Sequence, residues 1–114
     1  MSGLSLLKSI QEFRKYDNDI QSQTIVIFLY IAIHSKGKFS ENGVPMTAIA
    51  DELKFAQSSV SRNVSILSKL KWSRMEGLNF VSTKEDPMER RRKLVSLTAL
   101  GARVYKEILE ISTD

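Results

Sequence analysis

Arg90-Arg91-Arg92-Lys93 sets four cations in a row, and a second group of polar side chains lies some twenty residues upstream. That group is Gln57, Ser58, Ser59, Ser61, Arg62, Asn63, Ser65 and Lys69, and no carboxylate interrupts it. Chemistry of this kind suits a polyanion with readable edges. A guanidinium fork matches a guanine edge or a phosphate, hydroxyls and amides donate and accept, and an ammonium neutralises phosphate. Catalysis finds much less to work with. The chain has no cysteine, so a cysteine nucleophile, a thiolate zinc site and a disulfide framework are all excluded. The single histidine, His34, has no evident triad partner, and there is neither a phosphate-binding glycine loop nor a metal-ligand cluster. The expectation is a protein that is not an enzyme and needs no metal or cofactor.

Two faces are required for the upstream group to act. At about 100° per residue, Val60, Val64 and Leu67, flanked by Leu70, share one side of a helix running from about Gln57 to Lys71. Ser58, Arg62, Ser65 and Lys69 fall on the opposite side, with Gln57, Ser59, Ser61 and Asn63 flanking them. Before this helix, Thr47 reads as an N-cap for a short helix ending at Leu53, with Ile49, Ala50 and Leu53 inward. Lys54-Phe55-Ala56 is a tight connection, so residues 47 to 71 have the layout of a helix-turn-helix.

The cations have their own support. Leu78 to Ser82 and Lys93 to Leu97 read as two short strands, and Thr83 to Arg92 joins them as a charged hairpin loop. Arginines at such a tip suit a narrow, electronegative minor groove or the clamping of phosphates. Further elements frame both. Leu4, Leu7, Ile10 and Phe13 recur at helical spacing up to about Tyr16, and Asp17-Asn18-Asp19 breaks the pattern. A second helix is predicted from about Gln21 to Ser35. Its middle, Ile25 to Ile33, is apolar all round, so it demands partners on every side; a buried strand also fits the composition, but the segment is long for one. Lys36 to Val44, with Ser40, forms a loop, and Pro45 keeps the backbone extended. Thr98 caps a last helix from Ala99 to about Ile111, with Leu100, Val104, Ile108 and Ile111 on one face.

This order predicts one domain over residues 1–114, mainly α with a small β-hairpin wing, a winged helix-turn-helix. Glu89 to Gly101 resembles the wing-to-helix signature of MarR-type transcription regulators, an Asp-x-Arg followed by a strand and Leu-Thr-x-x-Gly, here Leu97-Thr98-Ala99-Leu100-Gly101. Met46 to Leu53 and Ser58 to Leu67 are similar to that family's two helix-turn-helix helices. The resemblance implies a homodimer on a pseudo-palindromic DNA site, with the recognition helix in the major groove and Arg91 as the wing arginine. It also implies repression of transcription, often relieved by a small ligand, although no residue in this chain points to one. Glu89 replaces the usual Asp, so the carboxylate expected to steady the wing arginine sits on a longer arm. The family's further C-terminal dimerisation helix has no counterpart after Glu110, which leaves 1–36 and 98–112 as the candidate dimerisation helices.

Composition agrees with this picture. The chain's 114 residues carry 17 Lys and Arg against 13 Asp and Glu, a net charge of +4, which suits an anionic partner. The N-terminus does not read as a secretory signal, and the longest apolar run falls far short of about 20 residues, the length that spans a bilayer. A cytoplasmic, nucleoid-associated protein is expected. Met46, Trp72 and Phe80 are read as core residues. Winged helices also dock on proteins, and a polymerase, a replication protein or another regulator is the rival partner; the acid-free face and the arginines favour double-stranded DNA.

Overall fold

The computed structural model describes residues 1–37, 39, 41–70 and 75–113. The expected loop residue Ser40, the expected helix end at Lys71 and the expected core residue Trp72 lie outside the described residues. Within them the chain runs α1 (Gly3–Arg14), α2 (Ser22–His34), β1 (Val44–Pro45), α3 (Met46–Leu53), α4 (Gln57–Leu67), β2 (Val81–Glu85), β3 (Lys93–Leu97) and α5 (Ala99–Ser112). The three strands form one antiparallel sheet in the order β1-β3-β2.

α1 starts at a capping box: Ser2 Oγ accepts from the Ser5 amide at 3.1 Å, and the Ser2 amide donates back to Ser5 Oγ at 2.9 Å. Its inner face is not the apolar one. Ser5, Ser9 and Phe13, at i, i+4 and i+8, are buried, while Leu4, Leu6, Leu7 and Ile10 are exposed. Serines let α1 lie close against α5, and the Ser9 hydroxyl is satisfied by the Ser5 carbonyl at 2.8 Å. Phe13 anchors the helix edge-on to Phe28, ring centres 5.7 Å apart.

α2 is a helix, as its length predicts, and Ile27, Phe28 and Ile31 are fully buried in the core with Ile49, Val60, Leu67, Phe80 and Val95. The requirement for partners on every side is not met within one chain. Val26 and Ile33, seven residues apart on one stripe, remain exposed.

The first wing strand begins at Val81, three residues later than the alternation of residues 78–82 suggests. The cause is the end of α4, whose carbonyls need donors. Amides of Gly77, Leu78 and Phe80 donate to the carbonyls of Lys69, Ile66 and Leu67 at 2.9, 3.0 and 2.8 Å. Asn79 adopts a φ of 61°, which interrupts any extended run. Residues 77–80 therefore cap a helix before the chain enters the sheet. They also explain why α4 stops at Leu67 rather than Lys71: Ser68 turns extended, and its hydroxyl bonds back to the Val64 carbonyl at 2.7 Å.

β1 has no counterpart in the sequence reading. Its two residues pair with Leu94 and Val95 and give β3 a partner on both sides. Thr98 caps α5 as expected, accepting from the Gly101 amide at 3.0 Å while its hydroxyl donates to the Asn79 carbonyl at 2.7 Å. No described helix is long and apolar enough to cross a membrane.

Candidate nucleic-acid interface

α3 and α4 form the helix-turn-helix. The N-cap of α3 is Pro45, and Thr47 lies inside the first turn, exposed. The turn depends on Lys54, which takes left-handed backbone angles (φ 62°, ψ 37°) and lets the Phe55 amide return to the Ala50 carbonyl at 3.1 Å. α4 then leaves at an angle fixed by Val60, Val64 and Leu67, each at most 1% exposed.

The opposite side of α4 carries Gln57, Ser58, Ser61 and Arg62, all exposed, with Ser59 and Ser65 half-buried. This face contains no carboxylate, so nothing on it would repel a polyanion. Two of the expected residues leave it. Asn63 is only 7% exposed, because it points at α2. Lys69 is exposed but lies beyond the last helical residue, so the helical arithmetic that aligned it with Arg62 does not hold there.

The wing is closed by Asp86. Its amide donates to the Arg92 carbonyl at 2.8 Å, and its carboxylate accepts from the Met88 amide at 2.9 Å. Its other carboxylate oxygen lies 3.7 Å from Arg92 Nε. The carboxylate that steadies the hairpin is thus Asp86, and not Glu89. Arg92 is turned inward and half-buried, whereas Arg90, Arg91 and Lys93 are exposed at the tip and on the rising strand.

Helix and wing meet across a cleft of about 300 Å³ lined by Ser61, Ser65 and Ser68 on one side and Thr83 and Lys93 on the other. Ser61 and Ser65 of the upstream group and Lys93 of the cation run therefore share one cleft. A separate cleft of about 490 Å³ lies between the end of α2, β3 and α5, lined by Ala32, Ser35, Phe39, Leu97 and Tyr105 among others. His34, half-buried, packs against Tyr30 with ring centres 4.3 Å apart and planes tilted by 42°. Burial, with the Glu52 carboxylate beside it, pushes the Tyr30 hydroxyl up to about 12. Among the described residues, no three His, Asp or Glu side chains gather as metal ligands would.

A helix-turn-helix followed by a β-hairpin beside its second helix defines a winged helix. Solved structures with this arrangement are similar over nearly the whole chain. The S. aureus MepR–DNA complex matches with a TM-score of 0.71 and 20% identity, over 92% of this chain and 73% of that one. A MarR transcriptional regulator from Methanosarcina mazei Go1 matches at 0.66 and 18%, over 90% of this chain and 62% of that one. The overoxidized AbfR bound to DNA matches at 0.61 and 15%, over 96% and 71%. The fold is that of the MarR-type regulators, as the wing signature predicts, and this chain spans 62 to 73% of the length of those three proteins. No protein-family model matches the sequence, and no curated protein matches it.

Proposed function

We propose that this chain is a sequence-specific double-stranded DNA-binding transcriptional regulator without catalytic activity, a repressor that acts as a homodimer on a pseudo-palindromic site. One observation carries the reading: Ser61 and Ser65 on the acid-free face of α4 and Lys93 at the base of the wing line one cleft, in a fold shared with proteins solved on DNA. α4 enters the major groove, where Arg62 with Ser58, Ser59, Ser61, Ser65 and Gln57 reads base edges. Arg91 enters the flanking minor groove, and Arg90, Lys93 and Lys69 contact phosphate. Arg92 holds the hairpin and adds charge behind it.

The homodimer is supported by the bare apolar side chains. Leu4, Leu6, Leu7 and Ile10 leave a greasy strip along α1, and Leu109 of α5, the helix against which α1 packs, is exposed as well. Exposed apolar surface of that extent marks an interface, and a second copy of this chain supplies a matching strip.

Selection from a random duplex pool at two salt concentrations tests the proposal. Enrichment of a two-fold-symmetric site with half-sites about one helical turn apart is expected, and that site upstream of a reporter should lower its transcription when the protein is present. Salt-sensitive binding without enrichment would point to general DNA coating. No binding at low salt would leave a protein-docking role.

A further inference from the structure

Asn63 stands in the middle of the reading helix, yet it does not face the DNA side. Thr24 Oγ1, 1% exposed in the first turn of α2, donates to Asn63 Oδ1 at 2.6 Å. Asn63 Nδ2 donates to the Ser59 carbonyl at 2.8 Å and reaches Gln23 Oε1 at 3.5 Å. The other buried polar side chains, Ser5 and Ser9, bond within α1 and its cap. Among the described residues, Thr24 and Asn63 therefore make a buried side-chain hydrogen bond that joins two separate elements.

Val60, Val64 and Leu67 bury the apolar side of α4 in the core it shares with Ile27, Phe28 and Ile31 of α2. Apolar packing is strong but weakly directional, so a smooth ridge sets how deep a helix sits better than how far it is rolled. Hydrogen bonds have a narrow window of distance and angle. At the outer radius of a helix, about 5–6 Å, a roll of roughly 20° moves a side chain by about 2 Å. A shift of that size takes Arg62 and Ser58 out of hydrogen-bonding register with base edges but leaves their charge near the phosphates.

We propose that the Thr24–Asn63 hydrogen bond is a positioning device: it sets the roll of α4 about its axis, and so determines sequence discrimination without touching DNA. The inference rests on the DNA-binding reading above. Thr24 and Asn63 are positioning residues, and their loss should lower selectivity far more than affinity for arbitrary duplex.

Thr24→Val removes the donor and keeps the shape, and Thr24→Val/Asn63→Leu removes both polar partners. Thr24→Ser keeps the hydroxyl. For each variant and the wild type, dissociation constants would be measured on the selected duplex and on a scrambled duplex at several salt concentrations, together with thermal melting. In folded Thr24→Val or double variant, the ratio of scrambled to selected dissociation constants should fall by about tenfold or more, with the salt slope on scrambled duplex unchanged; Thr24→Ser should restore the ratio. A folded variant that retains the wild-type ratio overturns the proposal. So does unfolding of both valine variants while Thr24→Ser stays folded and selective, since the bond then serves the fold and not the aim. A wild type that discriminates no duplex overturns the DNA reading and this inference with it, and that result is distinct from either of the others.

Discussion

Arg92 Nε lies 3.7 Å from Asp86 Oδ2, inside a loop that the Asp86 amide closes onto the Arg92 carbonyl at 2.8 Å. One of the three consecutive arginines is thereby used to build the hairpin, which presents the other two. The pair is too far apart for a hydrogen bond, and Arg92 Nε is buried without a hydrogen-bond partner. Charge counting and geometry then make opposite predictions for Asp86→Ala. Removing a carboxylate from a basic wing should tighten binding to any duplex. Removing the carboxylate that accepts from the Met88 amide and faces Arg92 should cost the ordered presentation of Arg91. The expected outcome is several-fold weaker binding to the selected site with equal or tighter binding to scrambled DNA, read from titrations at one salt concentration. A parallel gain on both duplexes would show that Asp86 acts only through its charge.

A second close approach explains the glycine of the wing signature. A Cβ on Gly101 would sit 1.9 Å from the Phe80 carbonyl oxygen, far inside any tolerated contact. Gly101 lets the first turn of α5 press on the segment that caps α4, so one missing side chain joins the last helix to α4. Gly101→Ala must displace backbone, and it should destabilise the fold by about 1–3 kcal/mol. Thermal melting checks this. An unchanged melting temperature would mean that α5 can slide without penalty.

These two contacts mark the limit of what the residue types reveal. Residue patterns find the five described helices and β3 at its observed bounds, although the apolar stripe of α1 is the exposed one and adjacent Leu94 and Val95 of β3 are both buried. Residues 78–80 look like a strand because Leu78 and Phe80 alternate with polar neighbours. The unpaired carbonyls of α4 claim their amides, and no local pattern records that demand. In α1 the inner face is chosen by how closely α5 approaches, which favours serine over leucine. Asn63 is legible as a polar residue on α4, but its direction depends on Thr24, 39 residues earlier. β1 is missed because two residues carry no period at all.

The strip on α1 gives a prediction about assembly. Leu7 is 58% exposed and Leu4 61% in the single chain, so a charge at either position costs the monomer little. In a two-fold interface the same change appears twice, and each copy buries an unpaired carboxylate. Leu7→Glu should raise the dimer dissociation constant by about tenfold or more, equivalent to at least about 1.4 kcal/mol. Sedimentation over a range of concentrations reads the shift, and circular dichroism should show the helices intact. An equally stable dimer would place the interface elsewhere.

Tyr30 predicts a response to alkali. Burial, and after it the neighbouring Glu52 carboxylate, pushes its hydroxyl up to about 12 from an ordinary value of 10. The folded state therefore holds the proton more tightly than the unfolded chain does. That contribution to stability is complete below pH 10 and is lost as the pH rises through 12. Tyr30→Phe has no proton to lose there. The stability advantage of wild type over Tyr30→Phe, from urea melts at successive pH values, should be constant to about pH 10 and shrink above it. A difference that does not change with pH would separate Tyr30 from Glu52.

Arg62 and Arg91 carry the same charge and should fail in different ways. Arg62 stands on the exposed face of α4, where a guanidinium can contact a base edge with two parallel hydrogen bonds. Arg62→Ala should cost about 1–3 kcal/mol on the selected site and relax preference at one base pair. Arg91 is exposed at the wing tip, and in the proposed complex it enters a groove whose negative potential depends on its width, so its contribution should be mainly electrostatic. Arg91→Ala should weaken binding to selected and scrambled duplex alike and flatten the salt dependence by roughly one unit of slope. Measuring both variants on a set of single-base-substituted duplexes at three salt concentrations separates the two roles. If Arg62→Ala loses affinity equally on every duplex, α4 does not read bases through it. If Arg91→Ala leaves the slope unchanged, the wing is not in contact with phosphate.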